Sequence, residues 1–281
     1  MKAKLGQNFL YQPHWHRKVV DAVHPQAGDV LVEVGGGPGD ITALLAEAAG
    51  ELSVIEYDPG LAANLAQRFA GRENVQVIHA DVLTVDFPAL AREAWTRFAL
   101  RRGEAVPTPA KIRLFGNLPY YITSPILLHL FAAAEVFTDA VIMVQREVAE
   151  RILAQPGHSE FGLLAATTQL YARPRKLFHL PPTAFRPAPK VESTLLALQF
   201  VPRAQELGVQ ASEFSAFLRV AFAQKRKTMA NSLQTRYSAA TARAAIAAAG
   251  LNPQTRAEQL NLEQLAAVFR ALAAAGNASS R

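Results

Sequence analysis

The 281-residue chain contains no cysteine, which removes disulfides, thiolate metal sites and cysteine nucleophiles from consideration. It has no uninterrupted apolar run of the ~18 residues that a membrane span needs. Its opening, MKAKLGQNFLYQ, lacks the apolar core of a signal peptide. A cytoplasmic protein without a membrane partner is therefore expected. H-E-x-x-H, the P-loop G-x-x-x-x-G-K-[ST] and G-x-S-x-G are all missing, so zinc hydrolysis, ATP hydrolysis and serine esterase chemistry lack their parts. The seven histidines are scattered, and no metal is expected.

Half of the residues are hydrophobic, enough to bury a sizeable core in one large domain or two of unequal size. The net charge of +6 is unevenly spread. Residues 201–281 hold 10 Lys and Arg against 4 Asp and Glu, while residues 1–200 hold 19 of each. A basic terminal segment on a neutral body fits a polyanionic partner, because neutralising phosphates releases their counterions. A solvated surface that is merely basic fits the same numbers.

From Asp29 onward, short apolar runs alternate with amphipathic stretches. DVLVEV (29–34), ELSVIE (51–56), VQVIHA (75–80), KIRLFG (111–116) and AVIMVQ (140–145) read as strands. ITALLAEAAG, LAANLAQRFA, residues 88–102 and ITSPILLHLFAAA read as helices between them. The alternation predicts right-handed βαβ units and a parallel sheet covered by helices. The proline-rich stretch 177–194 is too broken for a regular element, and LLALQF (195–200) reads as a last strand. The chain then turns alanine-rich and helical, which places a domain boundary between residues 204 and 205. Asn261, with Gln264 three residues on, has the spacing of a capping box.

Chemistry is expected where these strands end. EVGGGPGD (33–40) joins the first strand to the first helix, and its glycines permit a tight turn and close approach to a ligand. It does not satisfy G-x-G-x-x-G, because the position that should hold the last glycine is Asp40. Gly35, Gly37 and Gly39 instead form G-x-G-x-G. Glu56 ends the second strand, where a carboxylate can accept both ribose hydroxyls of an adenosine ligand. Asp81 follows the third strand, where it can accept from an adenine amino group. Each acid alone is an ordinary solvated strand end. Together with the glycine loop they favour an adenosine-containing cofactor, since ligands in open α/β sheets bind outside the carboxyl ends of the strands.

FGNLPYYIT (115–123) brings Asn117 to the same edge. Two readings are open. As a turn, it uses asparagine for local hydrogen bonds. As a site, it sets the Asn117 side-chain oxygen beside the Leu118 carbonyl, which Pro119 holds in extended geometry. Two acceptors drawing on both N–H bonds of an adenine amine would favour a pyramidal, more nucleophilic nitrogen. Tyr120 can stack on the base, a contact worth ~1–3 kcal/mol in single-strand binders.

LGQNFL (5–10), EVGGGPG (33–39), Glu56, HADVL (79–83), FGNLPYYITSPIL (115–127), FRPAPKVEST (185–194) and FAQKRKTMANSL (222–233) resemble, in order along nearly the whole chain, the ribosomal RNA adenine dimethyltransferases. Within that family, the match is best to the branch that dimethylates two adjacent adenosines in a hairpin loop near the 3′ end of small-subunit (16S) rRNA. The resemblance implies a Rossmann-like α/β fold, mostly parallel with an antiparallel last strand, in residues 1–204. A small all-helical RNA-binding domain in 205–281 would follow. The implied cofactor is S-adenosylmethionine, and the implied partner is a small-subunit precursor acted on by a monomer. Residue by residue, it implies that Asn8, Leu10, Gly35, Gly37, Glu56, Asp81 and Asn117 contact the cofactor. Asn117, Leu118, Pro119 and Tyr120 would hold the target adenine, with Phe185 as its second stacking wall. Phe185 by pattern alone reads as a core-packed loop anchor. In EFSAFLRVAFAQKRKTMANSL (213–233), Phe214, Phe217, Leu218 and Ala221 share a core-facing helical side. Arg219, Lys225, Arg226 and Lys227 then project outward, as a solvated face or as phosphate contacts; with an RNA substrate implied, phosphate contact is the expectation. A related enzyme acting on large-subunit (23S) rRNA and conferring drug resistance, and a ribosome-assembly binding factor with secondary catalysis, are the alternatives.

Overall fold

The computed structural model describes residues 8–278, with side chains through residue 275. The chain divides into two compact units: residues through 149 together with 175–200, and residues 150–174 together with 201 onward. Composition alone predicts a single cut at 204/205. The structure adds residues 150–174 to the helical unit, because their apolar side chains belong to its core: Phe161, Ala165, Ala166 and Leu170 cluster with Phe214, Phe217 and Leu265.

The first unit begins with β1 (Phe9–Leu10) and α1 (Pro13–Val23), followed by β2 (Val30–Val34), α2 (Asp40–Ala48), β3 (Glu51–Glu56), α3 (Pro59–Arg68) and β4 (Val75–His79). It continues through α4 (Phe87–Arg102), β5 (Ile112–Asn117), α5 (Thr123–Ala132), β6 (Phe137–Gln145) and α6 (Arg146–Leu153), whose last residues enter the helical unit. After α7 (Leu163–Tyr171), β7 (Ala172–Leu180) re-enters the first unit, which closes with β8 (Phe185–Arg186) and β9 (Ser193–Phe200).

Seven strands form one sheet in the order β4-β3-β2-β5-β6-β9-β7, and β1 pairs separately with β8. β4, β3, β2, β5 and β6 run parallel, and β9 is antiparallel to β6. Every residue of β2 and β3 is buried, the uniform burial expected of strands covered on both faces. The chain grows outward from β2 through β3 and β4, then returns to the other side of β2 as β5. That reversal opens a crevice at the carboxyl ends of β2 and β5, the position where such sheets bind ligands.

Local sequence explains the element ends. Asp58 caps α3 by accepting from the Gly60 and Leu61 N–H groups, and Asp86 caps α4 by accepting from the Ala89 N–H; a cap of this kind is worth about 1 kcal/mol. β7 departs from expectation, since its residues Leu177–Leu180 open the stretch that reads as irregular. It is an edge strand carrying Arg173, Pro174, Arg175 and Lys176. Charge and proline are tolerated there because one side of the strand has no ladder to join, so its sequence lacks the apolar alternation of an inner strand.

The helical unit holds α8 (Ala211–Ala221), α9 (Met229–Leu233), α10 (Ala239–Ala248) and α11 (Leu262–Ala278) besides α7. Phe214, Phe217, Leu218 and Ala221 are buried as expected. Phe214, Phe217 and Phe269 form a ring cluster with centroids 5.5–5.7 Å apart. The capping box is present: the Asn261 N–H donates to Gln264 Oε1 at 3.0 Å and the Gln264 N–H to Asn261 Oδ1 at 2.9 Å. Arg219 is exposed on α8, while the exposed Lys225, Arg226 and Lys227 sit on the turn between α8 and α9 rather than on a helix. No described helix is long and apolar enough to cross a membrane, and no group of three or more potential metal ligands occurs among the described residues.

Candidate active site

The crevice contains a cavity of about 300 Å³ whose lining includes Asn8, Gly35, Gly37, Glu56, Asp81 and Asn117. Leu118, Pro119 and Tyr120 line it as well. These residues come from the ends of four neighbouring strands and from the segment around β1, and the sheet register brings them level. Val34 lies opposite Ile55 on one side and Gly116 on the other, and Glu56 lies opposite His79.

The G-x-G-x-G spacing has a backbone cause. Gly35, Gly37 and Gly39 all have positive φ, at 80°, 55° and 88°, a conformation that glycine adopts without steric cost. At Gly37 a side chain is disfavoured twice over, because a Cβ would also lie 3.0 Å from the Phe9 ring, which would have to give way. The same turn aims the Gly37 N–H at Glu56 Oε2, 2.9 Å away. Glu56 Oε1 accepts from the Asp58 N–H at 2.9 Å. One backbone donor on each oxygen fixes the carboxylate and still leaves acceptor capacity on both oxygens. Asp81 is held similarly, with Oδ1 accepting from the Leu83 N–H at 2.9 Å.

Asn117 Nδ2 donates to the Asn8 carbonyl at 3.1 Å. This bond sets the amide orientation and leaves the side-chain oxygen as the acceptor. The Leu118 N–H donates to the Met143 carbonyl at 3.1 Å, anchoring the backbone to β6, and the Leu118 side chain is buried. Pro119 has φ −58° and ψ 127°, and its carbonyl accepts from the Thr123 hydroxyl at 3.0 Å. The Tyr120 hydroxyl pairs with the Ser193 hydroxyl on β9, which fixes the ring at the cavity wall. Burial raises the Tyr120 pKa, and the Ser193 bond opposes that shift, so the phenol stays neutral at physiological pH.

Beneath the glycine loop, Glu33 is 1% exposed, and neither its Oε2 nor the Thr42 hydroxyl has a hydrogen-bond partner among the described residues. Burial pushes its pKa up to about 8; the Thr42 hydroxyl, near the carboxyl but outside good hydrogen-bond geometry, offsets only part of this, and the nearby Glu56 charge adds to it. Glu33 is therefore a neutral acid next to an anionic one, the arrangement that lets two carboxyls occupy a small volume.

Two expected site residues are placed elsewhere. Leu10 is core-packed, and its carbonyl accepts from His16 Nε2 at 2.8 Å. Phe185 is 1% exposed, in the same core cluster as Leu180, Ala184 and Leu195; neither lines the cavity. The physical reason is register. Leu10 pairs with Phe185 and Phe9 with Arg186, and side chains alternate along a strand. Phe9 therefore faces the cavity while Leu10 and Phe185 face inward, and the Phe185 ring is packed in the core rather than at the cavity wall. Phe9, Tyr57 and Leu83 line the cavity without having been anticipated. Tyr57 was detectable as the residue directly after Glu56, and it is 55% exposed. Arg219, Lys225, Arg226 and Lys227 belong to the helical unit and do not line this cavity.

Comparison with known proteins agrees with this fold. Residues 1–274 match the family model described as ribosomal RNA adenine dimethylase. A protein named ribosomal RNA small subunit methyltransferase A from Koribacter versatilis is 46% identical over 96% of this chain and 94% of its own length. The protein of the same name from Acidobacterium capsulatum is 48% identical over 96% and 91%. Among solved structures, a dimethyladenosine transferase from Plasmodium falciparum superposes with a TM-score of 0.74 at 22% identity, covering 95% of this chain and 98% of that one. The 23S rRNA methyltransferase ErmE superposes with a TM-score of 0.64 at 23% identity, covering 95% and 100%. At those identities the two structures speak to fold alone, whereas the family model and the relatives extend over nearly the whole sequence: this chain belongs to the ribosomal RNA adenine dimethylase family.

Proposed function

We propose that this chain transfers methyl groups from S-adenosylmethionine to N6 of two adjacent adenosines in a hairpin loop near the 3′ end of 16S rRNA, giving dimethyladenosine late in small-subunit assembly. The observation that carries the reading is the set at the strand ends. Asn117 presents an oriented acceptor on the same cavity as a Glu56 carboxylate fixed by two backbone donors. The substrate follows the name shared by the relatives at 46% and 48% identity. The large-subunit alternative has only a fold likeness at 23% identity behind it.

The cavity fits such a cofactor. Gly35 and Gly37 line the cavity at positive φ, a conformation that brings bare backbone to its wall, Glu56 keeps acceptor capacity for two hydroxyls, and Asp81 can accept from an adenine amine. When bound, the cofactor supplies a methyl group already activated by the sulfonium charge. The protein's task is then mainly orientation of the nucleophile. In the first transfer the Asn117 side-chain oxygen and the Leu118 carbonyl each accept from one N–H of the target amine, which localises the nitrogen lone pair; in the second the single remaining N–H engages one of the two. Tyr120 offers its ring face to the base, and a base read this way must leave its stack. Asn8 steadies Asn117 through its carbonyl. No strong general base is needed, because the methylated amine loses its proton readily to water. The enzyme works as a cytoplasmic monomer on a small-subunit precursor, with Arg219, Lys225, Arg226 and Lys227 on phosphates.

The test is methyl transfer by Asn117→Ala to immature small subunits, with cofactor affinity measured by calorimetry. Activity should fall on the order of 10²–10³-fold, as when one oriented polar partner of a reacting group is removed, while cofactor affinity changes by less than about tenfold. Full activity in the variant refutes the mechanism. Mass spectrometry of rRNA from cells lacking this protein fixes the substrate: dimethyladenosine should disappear from the small subunit, and disappearance from the large subunit instead refutes the assignment.

A further inference from the structure

By sequence, the first 200 residues are neutral, with 19 basic and 19 acidic side chains. The fold brings together two segments that carry bases and no acid, Asp21 on α1 lying one turn beyond Lys18. Residues 8–20 carry Arg17 and Lys18 and no acid, and residues 175–191 carry Arg175, Lys176, Arg186 and Lys190 and no acid. The other residues of the first 200 then hold 13 bases against 19 acids. The two acid-free segments come together in the α/β unit. β1 pairs with β8, the Tyr11 N–H donates to the Ala184 carbonyl at 3.1 Å, and Trp15 on α1 stacks on Phe178 of β7 with centroids 6.1 Å apart. All six cations are exposed, and none forms an ion pair among the described residues. Arg113 of the same unit, by contrast, is neutralised by Asp29 and Asp139.

The cations are interleaved with aromatic rings. Lys18 Nζ lies 4.9 Å from the Trp15 ring and 4.4 Å from that of Phe178, and the Arg186 guanidinium lies 4.1 Å over Tyr11. Strand alternation puts Lys176 on the same side as Phe178. A guanidinium or ammonium resting on a ring is held in place while its N–H groups stay available to an outside acceptor. Repulsion among uncompensated cations is relieved by a polyanion, and the half-buried rings of Tyr11, Trp15 and Phe178 keep part of their surface open to bases. The face also starts at the cavity. Phe9 lines it, and Tyr11 lies two residues further along, about 7 Å of extended chain, one nucleotide step of a stretched strand.

We infer that α1, β7 and β8 form a second RNA-docking surface, in which Lys18, Lys176 and Arg186 hold the phosphates of nucleotides flanking the target base and Tyr11 stacks on the first of those bases. This rests on the RNA substrate proposed above and extends it from the cavity to the strand leading away from it.

The test uses the full-length protein and small-subunit RNA from cells lacking dimethyladenosine. Affinity of the wild type and of the Lys18→Gln/Lys176→Gln/Arg186→Gln variant is followed as a function of salt. Removing three phosphate contacts should lower the slope of log affinity against log salt by about 2–3 and weaken binding more than tenfold at low salt. Cofactor affinity should be unchanged, because none of the three lines the cavity. Lys18→Arg/Lys176→Arg should keep the wild-type slope, which separates loss of charge from loss of packing. An unchanged slope in the glutamine variant overturns the inference while leaving the methylation reading intact. So does a variant whose binding to phosphatidylglycerol vesicles falls while its RNA binding holds, since the face would then serve a membrane. A wild-type protein that neither binds nor methylates this RNA overturns both readings together.

Discussion

Glu33→Gln tests the electrostatics of the candidate site without touching any group assigned to chemistry. The Glu33 carboxyl has a folded-state pKa of about 8 against an ordinary value of 4.5, so the native state keeps a proton that the unfolded chain releases. Between those two values the folded form binds more protons than the unfolded one, and stability must fall as pH rises. The contribution is complete below pH ~4.5 and exhausted above pH ~8. At about 1.4 kcal/mol per unit, the wild type should lose up to ~5 kcal/mol across this window, and water entering the unfolding core reduces that figure. A glutamine side chain has no proton to lose, so the variant should show none of this slope. Its amide must find partners where Oε2 already lacks one, a cost of roughly 1–3 kcal/mol that is the same at every pH. The variant should therefore be close to the wild type or less stable at pH 5, and more stable at pH 8. The assay is urea unfolding at pH 5, 6, 7 and 8 followed by tryptophan emission. The two tryptophans, Trp15 and Trp95, both lie in the α/β unit, so the signal reports the unit that contains Glu33. Parallel stability profiles for the two proteins from pH 5 to 8 would refute the reasoning, because Glu33 would then be ionised in the native state.

Glu56→Gln should weaken cofactor binding about 10–100-fold by calorimetry, since hydrogen bonds to a charged acceptor are worth ~1.5–3 kcal/mol and one amide face would also oppose the Gly37 or Asp58 N–H. Gly37→Ala should lower affinity by a similar factor, because the residue has φ 55° and a Cβ would meet the Phe9 ring at 3.0 Å; crystals of the variant should show Phe9 displaced. Lys225→Ala/Arg226→Ala/Lys227→Ala should reduce the salt slope of RNA binding by about 2–3 with cofactor affinity unchanged, and an unaltered slope would remove these residues from the phosphate contacts. Phe214→Ala deletes a fully buried ring of the Phe214–Phe217–Phe269 cluster and should cost the helical unit about 3–5 kcal/mol. Circular dichroism at 222 nm should then show an early helical transition while tryptophan emission from the α/β unit holds.

Most of the candidate site was legible because its residues sit at the ends of strands that local pattern identifies. Gly35, Glu56, Asp81 and Asn117 each follow an apolar run closed by a turn, and a parallel sheet brings such ends level whatever the loops between them do. The G-x-G-x-G spacing likewise expresses a local backbone demand, alternate residues at positive φ. The capping box at Asn261 is local in the same way. Residues with nonlocal environments were another matter. Which face of a two-residue strand turns inward depends on its partner, and the pairing of Leu10 with Phe185 is a contact between segments far apart in the chain. Only that register sends Phe185 into the core and Phe9 to the cavity. The packing of residues 150–174 with the helical unit, and the gathering of two acid-free segments onto one face, also depend on which distant surfaces meet. Short-range sterics and periodicity, both written in the chain, suffice for the order of strands and helices, the glycine loop and the polar groups at its edge. Side-chain facing, unit membership and the clustering of charge come from folding alone, because burial and field are sums over neighbours that the chain brings together only when folded.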